Sequence, residues 1–179
     1  MLIEHTKSQL LLIDLQARLV PVMAPGEDLV RQCGILIEAA RELQVPVLAS
    51  EQYPIGLGRT IPVLRDMLAV GEIYEKDEFS CLANAELQER LLRFDCQTII
   101  AGIEAHVCVL QTAMALRAMG RPVYVVVDAT ASRRALSKQV ALDRLAAAGA
   151  ELVTTEMVVF EWLRRAGTPV FRKLIRLIR

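Results

Sequence analysis

The sequence predicts a doubly wound α/β fold of three layers, a mainly parallel sheet of six strands lying between helices. Two observations carry this. Strand-like and helix-like segments alternate from one end of the chain to the other, the pattern of consecutive βαβ units with right-handed crossovers. Several strand-like runs, Ile99-Ile100-Ala101 and Val125-Val126-Val127 among them, are apolar at successive positions instead of alternating. Strands covered on both faces read this way. At 179 residues the chain is long enough for one domain, residues 1–179, with a substantial core.

Residues 9–13 open the fold as a strand, followed by an amphipathic helix over 27–43. A second strand over 46–49 and a short helix over 61–68 come next, then a third strand over 73–75 and a helix over 85–94. The fourth strand, 98–101, ends at Gly102, and helical spacing begins at Val109, Thr112, Ala113 and Leu116. Gly120 sits at the expected helix C-cap, and Pro122 introduces a fifth strand over 123–127. A helix over 138–148 ends before Gly149, a sixth strand covers 151–153, and helices over 156–165 and 169–178 close the chain. If the strand order is 3-2-1-4-5-6, the sheet reverses between strands 1 and 4. Ligands of such sheets bind outside the carboxyl ends of those strands.

Composition narrows the function. Lys plus Arg and Asp plus Glu are each 21, so the formal charge is zero, and aromatic residues are few. No basic stripe or stacking platform points to nucleic acid. The four cysteines, Cys33, Cys81, Cys96 and Cys108, are widely spaced, with no CxxC pair and only two histidines in the chain. That argues against a disulfide scaffold or a zinc site, and for a reducing compartment. The N-terminal apolar run is too short to span a bilayer and lacks the flanks of a secretory signal. The expectation is a cytoplasmic protein with no membrane partner.

Asp14 ends the first strand, Lys76 follows the third, and Cys108 comes just after the fourth. All three fall on one rim of the predicted sheet. The cysteine stands where a helix begins, and the unpaired N–H groups and dipole there acidify a thiol. The same N–H groups are placed to hold the oxyanion formed when a thiolate attacks a carbonyl carbon. Nucleophilic attack needs a base to take the thiol proton and pass it to the leaving group. Of the histidines, His5 precedes the first strand and His106 lies in the elbow before Cys108, so Asp14 is the better placed base. Lys76 would steady the ionised forms. Each residue also has a plainer reading: packing at a helix–sheet junction for Cys108, a turn cap for Asp14, and a solvated charge in Glu75-Lys76-Asp77-Glu78 for Lys76. Gln52, Tyr53, Phe79 and His106 are candidate pocket walls. Cys33 and Cys96 read as packing residues, and Cys81, nearer the site, is a second candidate thiol.

Three separated segments, Leu11-Leu12-Ile13-Asp14-Leu15-Gln16, Lys76 followed by Phe79-Ser80, and Gly102-Ile103-Glu104-Ala105-His106-Val107-Cys108-Val109, resemble the isochorismatase-like cysteine hydrolases. The likeness extends over nearly the whole chain. It implies Asp14 as base, Lys76 as third member of a triad and Cys108 as nucleophile. It also implies a cis peptide bond between Ile103 and Glu104, and an oxyanion hole from the backbone N–H groups of Glu104 and Cys108. Family members are commonly homo-oligomers, here a dimer or tetramer. Two departures narrow the reading. The stretch after the second strand, Ser50 to Thr60, lacks the histidine of the nicotinamidase metal cluster, so no metal and no cofactor is expected. Isochorismatases proper cleave a vinyl ether and generally lack the cysteine that this chain has. The Glu51-Gln52-Tyr53-Pro54 stretch instead is similar to the isochorismatase domain-containing branch. The reading is then a metal-independent hydrolase of an amide-like C–N bond in a small molecule. Ether hydrolysis or a non-catalytic oligomeric scaffold are the alternatives.

The segment 168–179 sets Val170, Leu174, Leu177 and Ile178 on one helical face, with basic residues over much of the remainder. High apolar content at zero net charge favours a partner subunit as the cover for that face.

Overall fold

The computed structural model describes residues 1–23 and 26–178. Six strands pair in parallel, as the alternating pattern predicts, and their order is the assumed 3-2-1-4-5-6. They are β1 (Ser8–Ile13), β2 (Val47–Gln52), β3 (Ile73–Lys76), β4 (Gln97–Ile103), β5 (Val123–Ala131) and β6 (Glu151–Val153). Between and after them run α1 (Gly26–Glu42), α2 (Pro54–Leu57), α3 (Pro62–Arg65), α4 (Ala85–Leu92), α5 (Leu110–Ala118), α6 (Ala135–Ala147), α7 (Thr155–Leu163) and α8 (Pro169–Leu174).

The successive apolar residues of the central strands are explained by helices on both faces. Leu10 and Leu12 of β1, with Ile99 and Ala101 of β4, join Leu36 of α1, Trp162 of α7 and Leu174 of α8 in one core. Leu11, Ile13 and Ile100 point the other way, into a second core with Leu91 of α4, Ala113 of α5 and Leu145 of α6. Alternate side chains of one strand thus serve both cores. Trp162 also donates its indole N–H to Ser8 Oγ at 3.2 Å, so the buried ring keeps a polar partner. Among the described residues no helix is long and apolar enough to cross a membrane.

Four expectations need correction. The fifth strand does not stop at residue 127 but runs to Ala131, with a register shift against β4 between Ile100 and Gly102. Asp128 falls within β5, where its carboxylate accepts from the Thr155 N–H at 2.8 Å and the Thr155 hydroxyl at 3.1 Å. The helix expected over 61–68 shrinks to the single turn of α3. Beyond it the Met67 carbonyl is taken by the Arg41 guanidinium at 3.1 Å, off the helical ladder. The helix expected to begin at 138 begins at Ala135. The last correction concerns the C-terminus. Its helix is only α8, and Leu174, Val170, Leu177 and Ile178 pack on the core of their own chain beside α1 and α7. Lys173 adds an ion pair with Glu42 of α1 at 2.6 Å. Leu174 is therefore covered from within, while Val170, Leu177 and Ile178 stay partly exposed. Arg179 lies outside the described residues.

Candidate active site

β1, β3 and the turn after β4 bring Asp14, Lys76 and Cys108 to the carboxyl end of the sheet. Asp14 is the first residue past β1, and its backbone turns left-handed there, at φ 54°. Its N–H donates to the Ser50 carbonyl at 3.1 Å, so the turn is anchored to β2. Lys76 is the last residue of β3 and stands in register with Gln52, the last of β2. Cys108 lies in a wide helical turn, Ala105–Val109, that runs directly into α5.

All three side chains are buried: Asp14 is 1%, Lys76 3% and Cys108 5% exposed. Lys76 Nζ lies 3.0 Å from Asp14 Oδ2, and Ser50 Oγ donates to the other carboxylate oxygen at 2.6 Å. Lys76 also donates to Gln52 Oε1 and, at 3.4 Å, to the Phe79 carbonyl. The Cys108 thiol approaches the same Gln52 oxygen at 3.8 Å. A carboxylate, an ammonium and a thiol therefore meet through direct bonds and one shared amide oxygen. Burial pulls the Lys76 ammonium toward neutrality, but the Asp14 carboxylate, joined by Cys108 only where that thiol ionises, outweighs it and holds its pKa above the ordinary lysine value.

Cys108 behaves against the expectation. Burial, reinforced by the neighbouring Asp14 carboxylate, pushes its thiol well above the ordinary range, and Lys76 offsets this only in part. A helix start acidifies a thiol by a fraction of a charge, whereas a whole carboxylate in a buried site acts at close range. The resting site thus holds an ammonium, a carboxylate and a neutral thiol. Its charges cancel.

The peptide bond between Ile103 and Glu104 is cis, as the resemblance implied. The Glu104 side chain turns toward the β5–α6 turn, where Oε2 accepts the Arg133 N–H at 2.9 Å and lies 3.3 Å from Arg133 Nε. Of the candidate pocket residues, Gln52 contacts the triad directly. Phe79 reaches it through its carbonyl, its ring being about half exposed, and the Tyr53 ring is likewise half exposed. His106 instead holds Ser132 Oγ through Nδ1 at 2.9 Å. Cys81 is packed in the same core as Cys108, and burial pushes its thiol up too. Cys33 is buried against the Ala129 carbonyl at 3.7 Å, and Cys96 is partly buried.

Sequence reasoning assigned no role to Ser50 or Gln16. Gln16 is fully buried, donates to the Gln52 and Gly58 carbonyls and accepts the Gln52 N–H at 2.7 Å, so it fixes the end of β2 from which the Gln52 amide projects. Its place two residues after Asp14 was the only available signal. Glu51, near the end of β2 and the one acidic residue in the Ser50 to Thr60 stretch where a metal cluster would lie, is fully buried and already satisfied. It accepts from the Thr60 N–H at 2.7 Å and the Thr60 hydroxyl at 2.8 Å, and pairs with Arg59 at 2.9 Å and Arg65 at 3.0 Å. Burial raises its pKa, but the Thr60 N–H, Arg59, the Thr60 hydroxyl and Arg65 together hold it below the usual carboxylate range. A carboxylate more acidic in the folded than in the unfolded chain contributes stability that is present above the unfolded value, about 4.3. That stability is lost as pH falls through the folded value. Glu51→Gln is therefore expected to flatten the acid limb of the stability profile, measured by urea denaturation from neutral to acid pH. An unchanged acid limb would contradict it.

The Isochorismatase domain profile matches residues 8–157, which include Asp14, Lys76 and Cys108. The chain belongs to the isochorismatase family. Within that family it is 38% identical over 175 residues to isochorismatase domain-containing protein 2A of Mus musculus, covering 96% of this chain and 82% of that protein. It is 34% identical over 167 residues to isochorismatase domain-containing protein 1 of Salmo salar. That alignment takes in 93% of this chain but only 59% of the longer relative. The solved structure of MAR1 ribonuclease from Caenorhabditis elegans superposes with a TM-score of 0.92 at 36% identity, covering 99% of this chain and 92% of that one. Six parallel strands in this order, flanked by helices, are the isochorismatase-family architecture.

Proposed function

We propose that this isochorismatase-family chain is a metal-independent cysteine hydrolase that cleaves an amide-like C–N bond of a small molecule through an acyl group on Cys108. The observation that carries the reading is the buried Lys76–Asp14 ion pair at 3.0 Å, tied to Cys108 through the Gln52 amide oxygen. Burying two charges costs several kcal/mol that pairing only partly offsets, about the burden expected of a functional site.

Charge decides how the thiol is activated. Ionising Cys108 alone would set two anions against one ammonium in a buried place. Moving its proton to Asp14 leaves one anion and one cation, with Lys76 now facing the thiolate. In this reading Asp14 takes the proton as the Cys108 Sγ–carbon bond forms, and the backbone N–H groups of Glu104 and Cys108 receive the charge that develops on the carbonyl oxygen. Asp14 then passes the proton to the departing amine as the C–N bond breaks. Water, deprotonated by Asp14, cleaves the thioester to an acid and restores the thiol.

The test is intact mass spectrometry after rapid quenching with a panel of small amides and ureas, with RNA included because the 36%-identical Caenorhabditis elegans relative is described as a ribonuclease. An acyl-sized mass increase is expected, mapping to the peptide that holds Cys108 and missing from Cys108→Ala. Turnover by Cys108→Ala at the wild-type rate would instead favour ether hydrolysis, which uses Asp14 without the thiol. Phosphodiester cleavage with no adduct would overturn the amidase reading. The same reading takes the protein as a homo-oligomer, and light scattering at micromolar concentration giving a monomer mass would contradict that.

A further inference from the structure

Gln52 is the last residue of β2 and is 8% exposed, and each of its polar groups has a partner. Gln16 clamps its backbone, accepting the Gln52 N–H at 2.7 Å and donating to the Gln52 carbonyl at 2.9 Å. In the side chain, Nε2 donates to the Asp77 carbonyl at 2.7 Å, while Oε1 accepts from Lys76 Nζ and, at 3.8 Å, from the Cys108 thiol. A carbonyl only accepts and an ammonium only donates. Turning the amide over would set its NH2 against Lys76 and its oxygen against the Asp77 oxygen. The amide oxygen is thereby forced to face both the ammonium and the thiol.

That placement has two effects on Cys108. A thiol can donate to a bare amide oxygen, whereas a thiolate has only lone pairs to set against it. The oxygen also engages one of the three N–H groups of Lys76. The other two go to Asp14 at 3.0 Å and to the Phe79 carbonyl at 3.4 Å, so none is left for sulfur. In the resting site the ammonium that would steady a thiolate is committed to other acceptors. The Phe79 contact, the longest printed among them, is the one most readily given up once the thiol proton has moved to Asp14.

We infer that Gln52 is a positioning residue that keeps Cys108 protonated until the reaction begins and anchors Lys76 beside the base. The inference deepens the cysteine-hydrolase reading and rests on it for the importance of the thiol, but its test reads thiol ionisation and needs no turnover. Such a catch protects the nucleophile, because the thiolate is the form that oxidants and stray electrophiles attack. Three titratable groups act on Cys108: Asp14 at the end of β1, Lys76 in β3 and Cys81 in the turn before α4. His106, on the same turn as Cys108, is engaged by Ser132. All of these stay in place when residue 52 alone is replaced, so a change in the thiol is then traceable to the amide.

The test is the pH dependence of Cys108 alkylation by iodoacetamide, with Cys108→Ala correcting for the other three cysteines. The midpoint of that profile reports ionisation and its plateau reports access, so a loosened pocket is told apart from a changed charge balance. Gln52→Met keeps the length of the side chain, removes the oxygen and frees one N–H of Lys76 for sulfur. Its midpoint is expected to fall by about one pH unit, a tenfold gain in ionised thiol, which is the lower end of what a hydrogen bond to a charged group contributes. Gln52→Asn, which draws the same amide back by one methylene, should lower the midpoint as well, so the result does not depend on a buried methionine being tolerated. Gln52→Glu also loses the amide but keeps an oxygen against Lys76, and its midpoint should stay at or above the wild-type value. A role confined to packing would move all three variants alike. An unchanged midpoint in Gln52→Met and Gln52→Asn, or a fall in Gln52→Glu equal to theirs, would overturn the inference. A lowered midpoint in a protein that cleaves no amide would uphold the role of Gln52 and count against the hydrolase reading alone.

Discussion

Asp14→Asn is expected to lower the turnover of whichever amide acylates Cys108 by roughly 10²- to 10⁴-fold, the contribution of a positioned general base. It should also make the Cys108 thiol more acidic. The two effects have one cause. In the wild type the thiol is held protonated first by burial and then by the Asp14 carboxylate, with Lys76 pulling the other way. Asparagine removes the opposing anion and leaves Lys76, 3.0 Å from that site, with no carboxylate to neutralise it. The thiolate becomes the one anion available to the ammonium, and a fall in thiol pKa of about 1–3 units is the usual effect of such an opposite charge. A more ionised nucleophile combined with a slower enzyme is a signature that simple misfolding does not produce. The measurement is the pH dependence of alkylation by iodoacetamide and of thiolate absorbance, each corrected with Cys108→Ala for the other three cysteines. If the thiol titrates as before, Asp14 is not what suppresses it. If turnover persists, Asp14 is not the base.

That thiol also shows where reading the sequence succeeds and where it stops. The parallel sheet was legible from patterning along the chain and, once the common order 3-2-1-4-5-6 was assumed, so was the gathering of Asp14, Lys76 and Cys108. Strands apolar at successive positions must be covered on both faces, and a sheet that reverses between β1 and β4 opens its crevice at their carboxyl ends. Cys108 was rightly placed at the start of a helical segment. Its acidity was not, since the local rule about helix starts competes with burial and with a carboxylate brought in from β1, and these together win. The role of Gln16 was hidden similarly. Two residues past Asp14 it reads as a loop amide, and only the path of β2 turns it into the support for Gln52. The C-terminal segment was legible only in part, for another reason. Its periodicity required that Val170 and Leu174 be covered, but periodicity carries no information on whether the cover is α1 and α7 of the same chain or a neighbour.

Gly102→Ala is expected to destabilise the protein by about 3–5 kcal/mol, at the far end of what a single substitution does. Gly102 pairs with Ile13 across the two central strands, at φ +118°, a conformation L side chains rarely adopt. A Cβ built there would lie 2.1 Å from the Ile13 carbonyl oxygen, 2.6 Å from its nitrogen and 2.8 Å from its carbonyl carbon. All three are backbone atoms of β1, so no rotamer change relieves the overlap. The strands must separate or Gly102 must leave its conformation. Either response moves the two chain segments the site depends on, because Ile13 leads straight into Asp14 and Gly102 into Glu104 and the Cys108 turn. For a chain of this length, such a loss lowers the thermal midpoint by about 10 °C, given roughly 2–4 °C per kcal/mol. Gly120→Ala is the control. Its φ is +74°, but nothing lies within 4 Å of the added Cβ, so only the left-handed backbone cost of about 1–2 kcal/mol applies. Urea denaturation of both variants separates steric overlap from backbone preference. Equal losses in the two would mean that β1 yields to the methyl group, and the close approach of β1 and β4 would then not be what fixes the position of Asp14 against Cys108.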